Sequence, residues 1–564
     1  MLDTPIVENQ ATKRVRKPLI GDFVPSDLEL QDLPLASTGN DDQGILIHSA
    51  KTLLLDGKFS LCLEFLQGVP RDILRTNPLL EVYKATAMLY SEFPQIAIKK
   101  VLENIETSPG ADSVLGEVIT IKAILQSYSE GPVKGIQLSK QALQHLKPDD
   151  LFFINLVERN LGIAYTLKND LRNANTWFER LLLTSHKLQD SVGILAAYNY
   201  LTYIRKVQGR FTEASVIYKK ALDFIEDQNL QDLPHSIKIF AGYGHLLLLW
   251  HQIKDAIFYL KQAIELAKQT DILYAQTAFQ HLSTAMLWQK DIHSALSLIH
   301  QSQEYSEGLD DLYKHLHAQY SQTTEALINL EIGEIESAYD WLVTTGIDQL
   351  SKESLRYHFD DALGYQVPIA ARIFCAKGMC AEAFRLLNLV IPKFLQQGAN
   401  SYLIRTLNAL AVVYAQMEDR DRAQDAIHKA LQLGQKENNI GDFLIIGSDL
   451  IPILSFHMQT SCSTEYAQRI ISLLTSTKID PCSHSTSECQ NPLSPRETDV
   501  LELIATGMTN REIALTLYLS ANTIKSHSIS IYRKLDVNNR NQAVNKARSL
   551  GILPLASLPI INTT

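Results

Sequence analysis

Through most of this chain one small residue recurs at nearly constant spacing: Cys62, Ala97, Gly135, Ala174, Ala214, Ala256, Ala295, Ala338, Ala383 and Ala423. The gaps are 35, 38, 39, 40, 42, 39, 43, 45 and 40 residues, and each small residue is read as standing before an amphipathic helix. Such a period confines the architecture to a stack in which each unit buries its apolar face against its neighbours. The pattern is helical from Asp42 to about Met458, so the expected body is all-α, a solenoid of helix pairs. Chance alanines in a generic helical domain would not fall so evenly.

Individual units show why the position is small. Leu161, Gly162 and Tyr165 followed by Ala174 and Phe178 match the L-G-x2-Y…A-x3-F order of a tetratricopeptide repeat. Leu410, Ala411, Tyr414, Ala423, Ile427 and Ala430 repeat that order, and Gly209, Ala214, Tyr218 and Ala221 repeat it in part. The small residues admit a close helix partner, and the rings fill the space between units. A period near 40 exceeds the usual repeat and predicts longer helices or loops. A solenoid of this length forms a concave groove suited to a small-molecule, peptide or protein effector. Trp177, Trp250, Trp288, Trp341, His251 and His300 are scattered along it, and core packing accounts for most of them better than a ligand cage does.

Charge divides the chain unevenly. The net charge is −10, but from Leu493 onward there are 8 Lys and Arg against 5 Asp and Glu, so that segment is +3 and the rest is −13. An acidic body disfavours unspecific wrapping of nucleic acid outside the basic segment. No apolar run reaches the roughly 18 residues of a membrane span, and the first residues lack a signal core, so a cytoplasmic chain without membrane contact is expected. Cys62, Cys375, Cys380, Cys462, Cys482 and Cys489 are too few for a disulfide framework in 564 residues. Cys482, His484 and Cys489 cluster in the Ser-, Thr- and Pro-rich stretch Thr475–Pro492, but their spacing matches no zinc pattern; a polar tether is the expected reading. Lys13, Arg14, Arg16 and Lys17 read as a solvated tail. The expected divisions are a flexible segment 1–41, repeats 42–470, a linker 471–492, a helical DNA-reading domain 493–553 and a tail 554–564.

That last domain is read from its turn chemistry. Ser494, Pro495 and Glu497 supply a cap, a first-turn proline and a first-turn acid; Val500, Leu501, Ile504 and Ala505 follow at helical spacing, and Gly507 ends the helix. Thr509 caps a short helix Asn510–Leu517 with Ile513, Ala514 and Leu517 inward. Ser520 and Thr523 open a third helix with Ile524, Ile531 and Leu535 inward. Two short helices joined by a few residues, the second polar outside, form a helix-turn-helix whose later helix enters the major groove. Lys525, Ser526, Ile529, Ser530 and Arg533 share one outward stripe able to meet base edges, with Arg533 and Lys534 placed for phosphate. A solvated face of an ordinary small helical domain would carry the same stripe. With Thr509, Asn510, Ser520 and Thr523, these are the candidate DNA-contacting residues.

The run Leu493–Ala547 resembles the C-terminal domain of the LuxR family of bacterial transcription regulators over about 60 residues, a length in register that makes the match specific. Leu493, Arg496, Glu497, Gly507, Thr509, Glu512, Ile524, Lys525, His527, Lys534, Leu535 and Val537 are among the matching positions. The resemblance implies that the helix carrying Lys525 reads the major groove, and that Asn541–Leu550 forms a fourth helix pairing two copies on a two-part site in double-stranded DNA. Ser528 stands where the family places an apolar residue, and Asp536 replaces a common glycine. With its repeats, the chain is similar to the C-terminal half of the MalT-like regulators, which respond to an inducer and carry a nucleotide-hydrolysing domain. No G-x-x-x-x-G-K-[ST] occurs here, and Gly57–Lys58 is followed by Phe59. No nucleophile–base constellation is visible, so neither catalysis nor a cofactor is expected. Two functions follow: a sequence-specific transcription regulator with a sensing repeat body, or a protein-interaction scaffold with a weak DNA-binding domain.

Overall fold

The computed structural model describes residues 40–91, 93–129, 131–269, 275–306, 311–353, 355, 360–460, 465–477, 493, 495–516, 521–535, 537, 539–549 and 553. Nearly all of the expected N-terminal segment and tail, Lys13 to Lys17, Cys462, the Cys482–His484–Cys489 cluster, Ser494, Leu517, Ser520, Asp536 and Leu550 lie outside them. Two compact units divide between Lys478 and Ile479.

The first unit is a succession of helix pairs: Asn40–Leu55 with Phe59–Gly68, Pro78–Tyr90 with Gln95–Glu106, Leu115–Ser129 with Pro132–His145, Leu151–Leu167 with Leu171–Leu188, and Ser191–Val207 with Phe211–Asp227. Then follow Pro234–Leu249 with Ile253–Gln269, Gln276–Trp288 with Ile292–Ser306, Asp311–Glu331 with Ile335–Thr344, Asp360–Ala376 with Cys380–Gln397, and Asn400–Gln416 with Arg420–Gln435. No strand occurs among the described residues.

One turn is used again and again within the pairs. Gly57, Asn169, Gly209, His251, Lys290, Gly333, Gly378 and Glu418 all have positive φ, each five residues before the recurring small residue. The next residue's N–H reaches back over the turn, as from Asp170 to the Tyr165 carbonyl at 2.8 Å and from Asp419 to that of Tyr414 at 2.9 Å. This is the Schellman closure, which satisfies carbonyls that the end of a helix leaves open. The second helix then starts at a fixed offset, and its fourth residue meets the first helix. Cys62, Gly135, Ala174, Ala214, Ala256, Ala295, Ala338, Ala383 and Ala423 all stand at that fourth position and are buried. Ala97 does not. Its helix starts at Gln95 after Pro94, so the fourth residue is Ile98, which is buried while Ala97 is half-exposed. The repeat register there is shifted by one residue from the sequence reading.

Close approach explains the rest of the motif. A Cβ on Gly162 would lie 2.4 Å from the Phe178 ring, and one on Gly244 would lie 2.7 Å from Leu260. The side chain four residues after the small position thus packs directly on bare backbone of the paired helix. Burial also inactivates the small thiol of Cys62, pushing its pKa up to about 12. Of the scattered tryptophans and histidines, Trp341 is buried in the core, Trp177, Trp250, Trp288 and His251 are half-buried, and His300 is exposed.

The array coils back on itself. Asn400 Nδ2 donates to the Gln208 carbonyl at 3.0 Å, Trp250 Nε1 to that of Glu437 at 2.9 Å, and Ile440 N to that of Leu249 at 2.8 Å. The first helices of the fifth and tenth pairs therefore touch. Beyond the pairs come Gly441–Leu444, Ile451–Thr460 and Glu465–Thr477. The last of these overturns part of the expected linker, because residues 471–477 are helical. Ile470 and Leu474 are buried on one face, and the Thr475 and Ser476 hydroxyls donate to carbonyls of their own helix at 2.8 and 2.9 Å. Hydroxyls that suggest a tether by composition can bond to their own helix. Among the described residues no helix is long and apolar enough to cross a membrane.

Candidate nucleic-acid interface

The second unit contains the helices Pro495–Ala505, Asn510–Thr516, Ala521–Lys534 and Arg540–Ser549. Leu493, Val500, Leu501, Ile504, Ile513, Ala514, Ile524, Ile531, Leu535, Ala543, Ala547 and Leu553 close one core of their own. The inward residues expected from helical spacing are therefore in it, apart from Leu517, which is outside the described residues, and Ala505, which packs against its edge.

Each helix end has a chemical reason. Gly507 adopts φ 93°, a conformation costly for a residue with a Cβ, and its chain reversal ends the first helix. Thr509 and Glu512 form a reciprocal cap: Glu512 N donates to Thr509 Oγ1 at 3.4 Å, while Thr509 N and Oγ1 donate to Glu512 Oε2 at 2.7 and 2.9 Å. Those hydrogen bonds, backbone first, hold the Glu512 carboxyl below its ordinary pKa. Asn539 caps the fourth helix by accepting from Gln542 N at 2.9 Å. Arg540 then donates to the Ile504 carbonyl at 2.9 Å and to the Met508 carbonyl, fastening the fourth helix to the end of the first.

The third helix is fixed from below by Glu497. This buried carboxylate accepts from Ser530 Oγ at 2.7 Å and from Lys534 Nζ at 2.7 Å. Ser528, unusual at its position for the resembled family, is buried and donates to the Ile524 carbonyl at 2.9 Å, so its hydroxyl is satisfied inside the helix.

Of the ten candidate contact residues, Lys525 is exposed on the third helix, whereas Ser530 and Lys534 are engaged with Glu497. Lys534 remains partly exposed at 37% of its side chain. Thr509 is exposed and spends its hydroxyl on the cap, and Asn510 is half-buried at the start of the second helix. Thr523, Ser526, Ile529 and Arg533 fall on the third helix by backbone alone, and Ser520 lies outside the described residues. Sequence reasoning missed Asn539 and Arg540 as fasteners. Asn539 carried a usable signal, since Asn followed three residues later by Gln is a capping-box spacing.

Comparison with known proteins agrees with this geometry. Residues 116–460 match the family model described as the MalT-like TPR region, and residues 491–547 match that of the luxR family of bacterial regulatory proteins. The HTH-type transcriptional regulator MalT of Yersinia enterocolitica is 24% identical over 539 residues, covering 90% of this chain and 58% of the relative. MalT of Yersinia pestis strain Pestoides F gives 24% over 537 residues with the same coverages. The chain thus spans a little over half the length of the curated relatives it matches. Among solved structures, the apo form of RapI aligns with 70% of this chain and 98% of its own at 11% identity, with a TM-score of 0.39. The chain belongs to the MalT-like TPR family, and its residues 491–547 form a helix-turn-helix domain of the luxR family.

Proposed function

We propose that this protein is a sequence-specific DNA-binding transcription regulator in which the helix Ala521–Lys534 reads the major groove and the repeat array senses an effector. The carrying observation is a luxR-type helix-turn-helix with its own core and with Lys525 exposed on the reading helix. Lys525 is the base-contacting candidate. Lys534 and Ser530 set the pitch of the helix through Glu497, with Lys534 meeting phosphate on its exposed side. Two copies pair through Arg540–Ser549 on a two-part site, acting in the cytoplasm.

Sensing requires that an effector bind one arrangement of the protein better than another, because only differential affinity shifts an equilibrium. The effector, a small molecule, peptide or partner protein, occupies the concave side of the repeats. The test is selection from a random duplex pool with the full chain at fixed salt. Recovery of a two-part motif is expected. Salt-sensitive retention of DNA with no motif would instead favour a scaffold with a weak DNA-binding domain, a reading that the engagement of Ser530 and Lys534 with Glu497 keeps specific enough to test.

A further inference from the structure

One cluster in the repeat array holds a lysine that no carboxylate pairs with among the described residues. Lys206, His245 and His281 stand on the first helices of three consecutive pairs, Ser191–Val207, Pro234–Leu249 and Gln276–Trp288. The His245 and His281 rings stack with centroids 3.8 Å apart and 15° between their planes. Lys206 Nζ lies 3.4 Å from His245 Nδ1 and 3.5 Å from the Gly242 carbonyl, and 5.7 Å from the centre of the Tyr218 ring. Among the described residues no carboxylate pairs with Lys206.

The tenth pair approaches the same place. Tyr402 OH lies 3.3 Å from Tyr203 OH, and Arg405, on the same helix as Tyr402, is close enough for its charge to act on both imidazoles. Arg405 is already neutralised by Asp442 at 2.6 Å. Burial first, then the neighbouring His281, Lys206 and Arg405, drive the His245 pKa far down. Burial, Lys206 and Arg405 take His281 down to about 3. Yet Lys206, His245 and His281 are only half-buried, so the cluster keeps partial access to solvent.

The Lys206 ammonium meets only neutral acceptors here, His245 Nδ1 and the Gly242 carbonyl, so its charge is not balanced, and each neutral imidazole still carries one N–H to offer. An oxyanion placed against it would supply the missing negative charge and take charge-assisted hydrogen bonds. A cation would be repelled by Lys206, and an apolar group would leave the ammonium unpaired. We propose that Lys206, His245 and His281 bind the phosphate or carboxylate head of a small anionic metabolite, and that this is the effector site of the array. The inference rests on the proposed sensing role of the repeats. It adds a route for the signal, because an occupant here spans three consecutive pairs and lies beside the tenth, where the coil closes.

The test is calorimetric titration of the full chain with pyrophosphate, with citrate and with glycerol at constant ionic strength. Saturable binding of pyrophosphate or citrate, with glycerol silent, is expected, and the tighter anion identifies the head group. Lys206→Gln should weaken it about tenfold or more, as loss of a charged hydrogen bond does, while Lys219→Gln, on an exposed outer position, should not. Circular dichroism checks the fold of each variant, and His281→Asn replaces Lys206→Gln if that variant does not fold. No saturable binding of either anion to the folded chain, or equal weakening by the Lys206 and Lys219 variants, overturns the site. Failed anion binding with intact DNA selection rejects this site alone. Anion binding with no DNA motif supports the site and rejects the regulator reading.

Discussion

Replacing Glu497 by Ala tests how the reading helix is held. The carboxylate is 4% exposed and takes two donors from that helix, Ser530 and Lys534, each at 2.7 Å. A hydrogen bond to a charged group is worth about 1.5–3 kcal/mol, which applies to the half-buried Ser530. The Lys534 pair is discounted to about 1 kcal/mol, because 37% of that side chain is in water. The carboxylate also stands in the first turn of Pro495–Ala505, where negative charge is favoured by about 0.3–1 kcal/mol. The sum is about 3–5 kcal/mol, enough to leave so small a unit largely open, since domains have only about 5–15 kcal/mol in all. Glu497→Gln keeps a neutral acceptor for Ser530 and should lose about 1–2 kcal/mol. Tryptophan fluorescence is blind to this change, because the four tryptophans are at 177, 250, 288 and 341. Amide hydrogen exchange of peptides within 521–534 is the assay, and each 1.4 kcal/mol appears as about tenfold faster exchange where opening is at equilibrium. Glu497→Ala should accelerate exchange by roughly a hundredfold or more, with peptides of the repeats unchanged. Acceleration below about threefold would refute the claim that Glu497 fixes the helix.

Three further outcomes test the repeat body. Asp442→Ala removes the carboxylate that Arg405, Ser401 and Asn439 all meet at 2.6 Å, and should lower stability by about 3–5 kcal/mol in urea unfolding followed by tryptophan fluorescence. Gly378→Ala, at φ 75° with open space around it, isolates the turn conformation and should cost about 1–2 kcal/mol, whereas Glu418→Gly at φ 63° should gain a comparable amount; equal behaviour of the two variants would contradict the turn assignment. His281 is held neutral when folded, so the unfolded chain takes up its proton first; the stability it permits is complete above pH 6.5 and falls as pH drops toward about 3. His281→Gln should therefore remove about 1 kcal/mol of the loss seen between pH 6.5 and about pH 5.5, and an unchanged slope would place its titration elsewhere.

The repeat architecture was legible because its cause is local: the small residue recurs in the sequence itself, whereas the turn five residues earlier was hidden because Gly, Asn, His, Lys and Glu all occupy it. Ala97 misled because an alanine sits beside the position that counts, and only the start of the helix after Pro94 shows that Ile98 occupies it. Residues 471–477 misled because their composition is that of a tether, while Ile470 and Leu474, four apart, carried the opposite signal. In the second unit, caps and inward faces could be read from spacing, since both act within a few residues. The role of Glu497 could not, because its partners lie 33 and 37 residues further on. Lys206, His245 and His281 were equally invisible. They are 39 and 36 residues apart, and only the stacking of successive first helices brings them together.

The central claim is that the helix carrying Lys525 reads base sequence. Its most direct test is parallel selection from a random duplex pool with the full chain and with its Lys525→Ala variant. The wild type should return a two-part motif, and the variant a motif relaxed at one or two positions in each half, corresponding to about 1–3 kcal/mol of lost discrimination at those bases. Identical motifs from both proteins would remove Lys525 from the readout, and no motif from the wild type would contradict the assignment of this chain as a sequence-specific regulator.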